Sequence, residues 1–157
     1  MIDLSTIRVN PFVSIVPFHP THLSKFKLKP FELEYYRVMP NYFEYIAQMA
    51  DSRMSWTVVG RGRPVCCFGL WQLWDGVAEA WMLPDEEIDK YAISVTRGAR
   101  RVLAKAIQDI GIKRLQIAVR VQNDTAYKFA EALYFKTECV MKHYGPEGAD
   151  YYLMARY

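Results

Sequence analysis

Hydrophobic residues follow a strand-like pattern in the first half of the chain. β-rich runs at 55–59, 65–71 and 77–83 are separated by short turns that contain glycine. Strand side chains point alternately to the two faces of a sheet, and runs of this kind joined by tight turns predict three consecutive antiparallel strands. In the first turn, Gly60 and Gly62 are predicted to supply the positive φ angles of a hairpin.

The second half contains the clearest helical pattern. Small and apolar residues recur at three- and four-residue spacing from Ser94 to Ile110, and Gly111 follows as a left-handed cap. The same spacing of apolar residues extends back towards Pro84. The helix is therefore predicted to begin either at Pro84, or at Ser94 after a short first helix.

Shorter elements complete the pattern. Alternating apolar residues predict a strand at 115–121, and Asn123 or Asp124 is predicted to cap the helix that follows it. The other predicted elements are a strand at 13–17, helices at 31–38 and 41–50, and strands at 137–144 and 150–157. The order is thus strand, two helices, three strands, helix, strand, helix and hairpin.

Composition excludes several classes of function. The 157 residues carry 20 basic and 17 acidic side chains, and this balance does not suggest a nucleic-acid partner. The longest apolar run is far too short to span a bilayer, and the N-terminus lacks the features of a signal peptide. Cys66 and Cys67 are adjacent in a strand, so they point to opposite faces and are expected to stay reduced. We expect one cytoplasmic domain, 1–157, with no membrane partner.

The order of the elements resembles that of the GNAT family of acyl-CoA-dependent N-acyltransferases, over nearly the whole chain. The likeness is sharpest in a motif of Asn-x-x-Ala, an apolar residue, a tyrosine and a Leu-Gly-Phe ending. The residues that match it are Asn123, Ala126, Phe129, Leu133 and Phe135. The resemblance implies an α+β, three-layer fold with a mixed, largely antiparallel sheet flanked by helices. It also implies that Asn123 and Phe129 lie beside the pantetheine arm of the co-substrate.

Two departures from the family pattern fall in that motif. Ala130 stands where the family has a tyrosine, often the general acid towards the departing thiolate, and Tyr134 stands where it has glycine. The phenols of Tyr127, Tyr134 and Tyr144 are the candidate replacement acids. None of the three occupies the motif position.

A third departure concerns the phosphate-binding loop, Arg or Gln-x-x-Gly-x-Gly or Ala, which the resemblance places after the third antiparallel strand. The chain reads DEEIDKYAISVTRGARR there, with Gly98 as its only glycine. Arg97, Arg100 and Arg101, close to a helix N-terminus, are the candidate substitutes for binding a diphosphate. The alternative is that these cations form the solvated face of the helix.

The resemblance also places the reacting groups. Glu79, in the middle of the third antiparallel strand, is the candidate base that takes the proton of an amine through a water. The backbone N–H groups near Met82 and Leu83 correspond to the strand edge that holds the acyl carbonyl. His19 and His22 lack a third ligand at metal spacing, and neither Cys66 nor Cys67 has a histidine neighbour in sequence that would activate it.

The resemblance implies an N-acyltransferase that moves an acetyl or other acyl group from acyl-CoA to an amine of a protein or small molecule, without a metal. A weaker resemblance is to short podovirus internal-virion (Gp-thirteen-like) proteins, which have an extra acidic and apolar turn before a basic helix. A phage-encoded enzyme would act on a host protein in the host cytoplasm. The alternative is a catalytically degenerate phage protein with a structural or host-interaction role. We expect a monomer or a homodimer.

Overall fold

One mixed sheet runs through the residues that the structure, a computed structural model, describes, namely 6–50 and 54–157. Its strands are β1 (Ile7–Asn10), β2 (Val13–Pro17), β3 (Ser55–Gly60), β4 (Arg63–Trp74), β5 (Val77–Pro84), β6 (Arg114–Arg120), β7 (Lys136–Met141) and β8 (Tyr151–Arg156). They lie side by side in the order β1-β2-β3-β4-β5-β6-β8-β7. Neighbours are antiparallel except β5 and β6, which are parallel.

Helices cover both faces of this sheet. They are α1 (Pro30–Val38), α2 (Tyr42–Ala50), α3 (Ala92–Ile110) and α4 (Asp124–Ala132), with short 3-10 turns at Pro20–Lys25, Ile88–Tyr91 and Pro146–Gly148. The larger hydrophobic core lies between the sheet and α3 with α4, and a smaller one lies under α2 on the opposite face. The predicted α+β, three-layer arrangement is confirmed.

Helix α3 follows from its apolar stripe, since Val95, Ala99, Val102 and Ala106 all point into the larger core. Gly111 ends the helix with φ 74°, as predicted. Neither predicted start is right, because the helix begins at Ala92 after the 3-10 turn. The Ser94 hydroxyl does not cap it; that oxygen accepts a hydrogen bond from the Asn10 amide at 2.7 Å.

The β3–β4 hairpin differs from the prediction in one residue. Positive φ angles occur at Arg61 and Gly62, whereas Gly60 is the last residue of β3 and has none. Gly60 is instead explained by packing, because a Cβ there would lie 2.7 Å from Cζ of Tyr91. Strand β1 was not predicted, since four residues are too few to establish an alternation.

The two adjacent cysteines lie on opposite faces of β4, as predicted. Cys66 belongs to the larger core and Cys67 to the smaller one. Burial raises the pKa of the Cys66 thiol well above its usual value and that of Cys67 to about 12, so both behave as small apolar residues. None of the described helices is long and apolar enough to cross a membrane.

Candidate active site

The sheet splits between its two parallel strands. Strands β5 and β6 are paired at only three positions, the last of which joins Glu79 to Gln116. Beyond that position β5 stays paired with β4 as far as Pro84, and β6 stays paired with β8 as far as Arg120. The two strands therefore separate after Glu79 and leave an opening in the sheet.

The direction of the β5 backbone along this opening follows from two facts. Pro84, which has no N–H, lies opposite Cys66, and the N–H of Asp85 donates to the Val65 carbonyl at 3.0 Å. In an antiparallel pair, successive residues point their N–H groups alternately towards and away from the partner strand. The N–H of Leu83 therefore points to β4, and that of Met82 points into the opening. Met82 is the better placed of the two predicted carbonyl-binding residues.

Glu79 stands where the opening begins. Its side chain lies on the same face of the sheet as those of Trp81 and Leu83, which contact the α1–α2 layer. The side-chain amide of Gln116 donates to Glu79 Oε2 at 3.1 Å. Trp71, 41% exposed, is directly opposite Glu79 on β4. A half-buried carboxylate at the fork of two strands can accept a proton from a group that enters the opening.

The structure separates the three candidate acids. Tyr144, in the β7–β8 connection, is the one on which Glu79 acts: burial, followed by the charge of Glu79, raises the pKa of its phenol. The Tyr127 hydroxyl lies 3.0 Å from that of Thr137. Tyr134 lies under the guanidinium groups of Arg100 and Arg156, at 5.0 and 5.5 Å from its ring centre.

Helix α4 begins beyond the end of β6. Asn123 caps it, with Oδ1 accepting the Ala126 N–H at 3.1 Å, and so the predicted cap is confirmed for Asn123 rather than Asp124. Phe129 packs, partly exposed, against the larger core. Ala130 is buried, so the position of the family's tyrosine is filled by a methyl group.

The basic residues of α3 have different surroundings. Arg97 and Arg101 are exposed. Arg100 instead donates from Nε to the Ala132 carbonyl at 2.8 Å, at the end of α4. Gly98 is buried, and a Cβ there would lie 2.5 Å from Cδ1 of Ile15. Close packing of α3 on β1 and β2 accounts for this glycine. Of the three arginines, the exposed Arg97 and Arg101 are the better candidates for binding phosphate, because Arg100 is hydrogen-bonded to α4.

The acidic segment between β5 and α3 contains a buried residue that the sequence did not distinguish. Asp85 is 0% exposed and accepts hydrogen bonds from the Lys27 N–H at 2.7 Å, the Glu87 N–H at 2.9 Å and the Arg63 guanidinium at 3.1 Å. The other three acids of the segment form ion pairs. These are Glu86 with Lys27, Glu87 with Arg63 and Lys90, and Asp89 with Lys29. Ion pairs thus occupy the place of a glycine loop.

A second group of polar residues lies under α1, and no pattern in the sequence predicted it. The hydroxyls of Tyr35 and Tyr151 are 2.6 Å apart, and the Tyr42 hydroxyl donates to Glu32 at 3.3 Å. Burial, assisted by the charge of Glu34, raises the pKa of Glu32 from its usual 4.5 to about 7. Glu34 is itself ion-paired with Arg120. These residues connect α1 to the strands beside the opening.

The pKa of Glu32 predicts how stability depends on pH. Between about pH 4.5 and 7 the folded chain binds this proton and the unfolded chain does not, so Glu32 makes the protein less stable as pH rises. Glu32→Gln is expected to stabilise the protein by ~2–3 kcal/mol at pH 8 and to change little at pH 4.5. Urea unfolding at both pH values measures the difference. Glu86→Gln, an exposed control, should show no such pH dependence, and an equal effect of Glu32→Gln at both pH values would contradict the prediction.

His19 and His22 lie close together at the first 3-10 turn. The rings of His19 and His22 are 6.1 Å apart, and Nδ1 of His22 lies 2.8 Å from the Thr57 hydroxyl. Burial lowers the pKa of His22. Among the described residues, no group of three or more His, Cys, Asp or Glu side chains is arranged to hold a metal ion.

No protein-family model matches the chain, and no curated protein matches it in sequence. Solved structures match it in fold. A GNAT-family acetyltransferase from Bacillus anthracis is 12% identical, with a TM-score of 0.73 over 97% of this chain and 98% of that chain. A ribosomal L7/L12 α-N-protein acetyltransferase, solved with coenzyme A, is 13% identical, with a TM-score of 0.70 and 97% of each chain covered.

A third solved structure, a microcin C7 self-immunity acetyltransferase in complex with acetyl-CoA and AMP, is 14% identical. Its TM-score is 0.68 over 97% of this chain and 96% of that chain. The chain therefore has the fold of the GNAT acetyltransferases, as the resemblance predicted. Nothing in these similarities supports the resemblance to short podovirus proteins, which stays a prediction.

Proposed function

We propose that this protein is an N-acyltransferase that moves an acyl group, acetyl in the simplest case, from acyl-CoA to an amine. The observation that carries the proposal is the opening between β5 and β6, with the carboxylate of Glu79 at its start and the N–H of Met82 directed into it. The fold supports it, since two of the similar solved acetyltransferases were captured with coenzyme A or acetyl-CoA.

The residues of the opening fit this chemistry. Acyl-CoA supplies a thioester, whose carbon–sulfur bond breaks as the amine nitrogen forms the new carbon–nitrogen bond. Glu79 accepts the proton that the amine loses, directly or through a water. The N–H of Met82 donates to the carbonyl oxygen and stabilises the negative charge that develops there. A thiolate is a good enough leaving group to depart without the phenol that Ala130 replaces.

The acceptor side of the site is aromatic and acidic. Trp71 lies directly opposite Glu79 on β4, and the charge of Glu79 acts on the phenol of Tyr144. Aromatic faces and a carboxylate favour a protonated amine, which then gives up its proton at Glu79. The acceptor is therefore an amine of a protein or a small molecule. A host protein as acceptor, a cytoplasmic location and a monomeric or dimeric state stay predictions.

Binding of the co-substrate is the first test. Acetyl-CoA at a hundredfold excess over Kd is expected to stabilise the protein by about 2.7 kcal/mol, because a ligand that binds only the folded state shifts the unfolding equilibrium. Differential scanning fluorimetry with acetyl-CoA, CoA and ATP measures the rise in Tm, and acetylation of a panel of amines and peptides measures transfer. If millimolar acetyl-CoA leaves Tm unchanged, the protein is not an acyl-CoA enzyme.

The phosphates of the co-substrate are expected to contact Arg97 and Arg101. The double variant Arg97→Ala/Arg101→Ala should weaken CoA binding ~10-fold and flatten its dependence on salt, because screening weakens charge-driven binding most. Calorimetric titrations at low and high salt give both quantities. Lys25→Ala, which removes an exposed cation from another element, is the control. Unchanged binding by the double variant would leave these cations as a solvated helix face.

One observation favours a second candidate function. The segment after β5 holds the buried Asp85 and a set of ion pairs, where the family has a glycine loop with free N–H groups. A chain that has lost that loop and the tyrosine at Ala130 could retain the fold for binding alone, in a structural or host-interaction role such as a phage protein performs. Binding of acetyl-CoA without transfer to any amine of the panel would favour this second function.

A further inference from the structure

We propose that Gln116 is a positioning residue that orients the carboxylate of Glu79, and that Arg114 and Glu138 hold Gln116 in place. The proposal rests on the proposed function, in which Glu79 is the base. It assigns a role to a row of side chains that runs from the edge of the sheet to the start of the opening.

Three hydrogen-bonded contacts connect these residues. The guanidinium of Arg114 on β6 donates to both carboxylate oxygens of Glu138 on β7, at 2.8 and 2.6 Å. Its Nε donates to Oε1 of Gln116 at 3.1 Å. Gln116 then donates from Nε2 to Oε2 of Glu79 at 3.1 Å. Side chains of three strands thus form one continuous row.

The chemistry of arginine fixes the orientation of the Gln116 amide. A guanidinium only donates hydrogen bonds, so the amide must present its oxygen to Arg114. The NH2 group of the same amide is then turned towards Glu79, where a carboxylate only accepts. A flipped amide would place oxygen against carboxylate on one side and NH2 against guanidinium on the other. The bidentate pair with Glu138 prevents Arg114 from following such a flip.

The row orients the carboxylate of Glu79. The hydrogen bond from Gln116 engages Oε2, and no described residue forms a hydrogen bond with Oε1, which is left to receive the proton of the amine. The charge of Glu79 also acts on the phenol of Tyr144 in the β7–β8 connection, which does not belong to the row.

The test compares Gln116→Leu, which removes the donor at similar size, with Arg114→Met, which removes the group that orients the amide. In both variants we expect kcat to fall ~10-fold while KM for acetyl-CoA stays unchanged, because the base is misplaced but the co-substrate still binds. Lys113→Met, which removes the neighbouring exposed cation, should leave kcat and KM at their parental values. Gln116→Leu with parental kcat would overturn the proposal.

A second readout does not depend on activity. Crystal structures of the parent and both variants should show the Glu79 carboxylate displaced in the variants, where the Gln116 donor is lost or misdirected. If the parent transfers no acyl group but the carboxylate is displaced in the variants, the positioning of Glu79 stands and the proposed function fails. If the parent is active and neither the carboxylate nor kcat changes in the variants, the proposed function stands and the role of Gln116 is wrong.

Discussion

Glu79→Gln is expected to lower kcat by ~10²-fold or more, with little change in acetyl-CoA binding, because glutamine is nearly isosteric but cannot accept a proton. The acidic limb of the pH–rate profile, which reports the base of the free enzyme in kcat/KM, should disappear in the variant. Steady-state kinetics across pH, with fluorimetric measurement of CoA binding, separates the loss of the base from a loss of binding.

Two further variants sharpen this result. Glu131→Gln changes an exposed glutamate on α4 and should leave kcat within twofold of the parent. Tyr144→Phe removes the phenol on which the charge of Glu79 acts and is expected to cost less than 10-fold, since a thiolate needs no strong acid to leave. A Glu79→Gln enzyme with the parental pH–rate profile would remove Glu79 from the mechanism. A loss of more than 10-fold in Tyr144→Phe would instead indicate that the phenol takes part in proton transfer.

Long local patterns in the sequence predicted the main helices and strands of the molecule. The stripe of α3 repeats over five turns, and the Asn123 cap and the Gly111 ending depend on residues within four positions of each other. Local signals of this length identify an element whatever surrounds it. Gly60 shows the limit, because a glycine in a turn suggests positive φ, whereas the contact that requires this glycine comes from Tyr91. Two strands, β4 and β5, separate Gly60 from Tyr91 in the sequence, so no local pattern predicts this contact.

The candidate site was predicted less completely for the same reason. Glu79 could be singled out from the family resemblance, but the amide that holds it belongs to Gln116 on a strand that follows a 19-residue helix. Glu32, whose pKa is raised mainly by burial in the folded chain, looks in the sequence like any acid of an amphipathic helix. Hydrogen bonds between distant segments, rather than residue types, distinguish the surroundings of one acidic residue from those of another.

Asp85→Ala is expected to destabilise the protein by ~3 kcal/mol, because it leaves the N–H groups of Lys27 and Glu87 and the Arg63 guanidinium without their buried acceptor. The carboxylate ties the end of β5 to Lys27 on the approach to α1, so the loss should appear in global unfolding by urea. Asp85→Asn, which retains one acceptor, should lose less, and Asp109→Ala, which breaks an exposed pair with Lys105, should lose under ~0.5 kcal/mol. A loss of 1 kcal/mol or less in Asp85→Ala would contradict this role. The ion pairs after β5 surround this one carboxylate. CoA binding by a folded Asp85→Asn protein would therefore also show whether the co-substrate needs the charge of Asp85 in this segment.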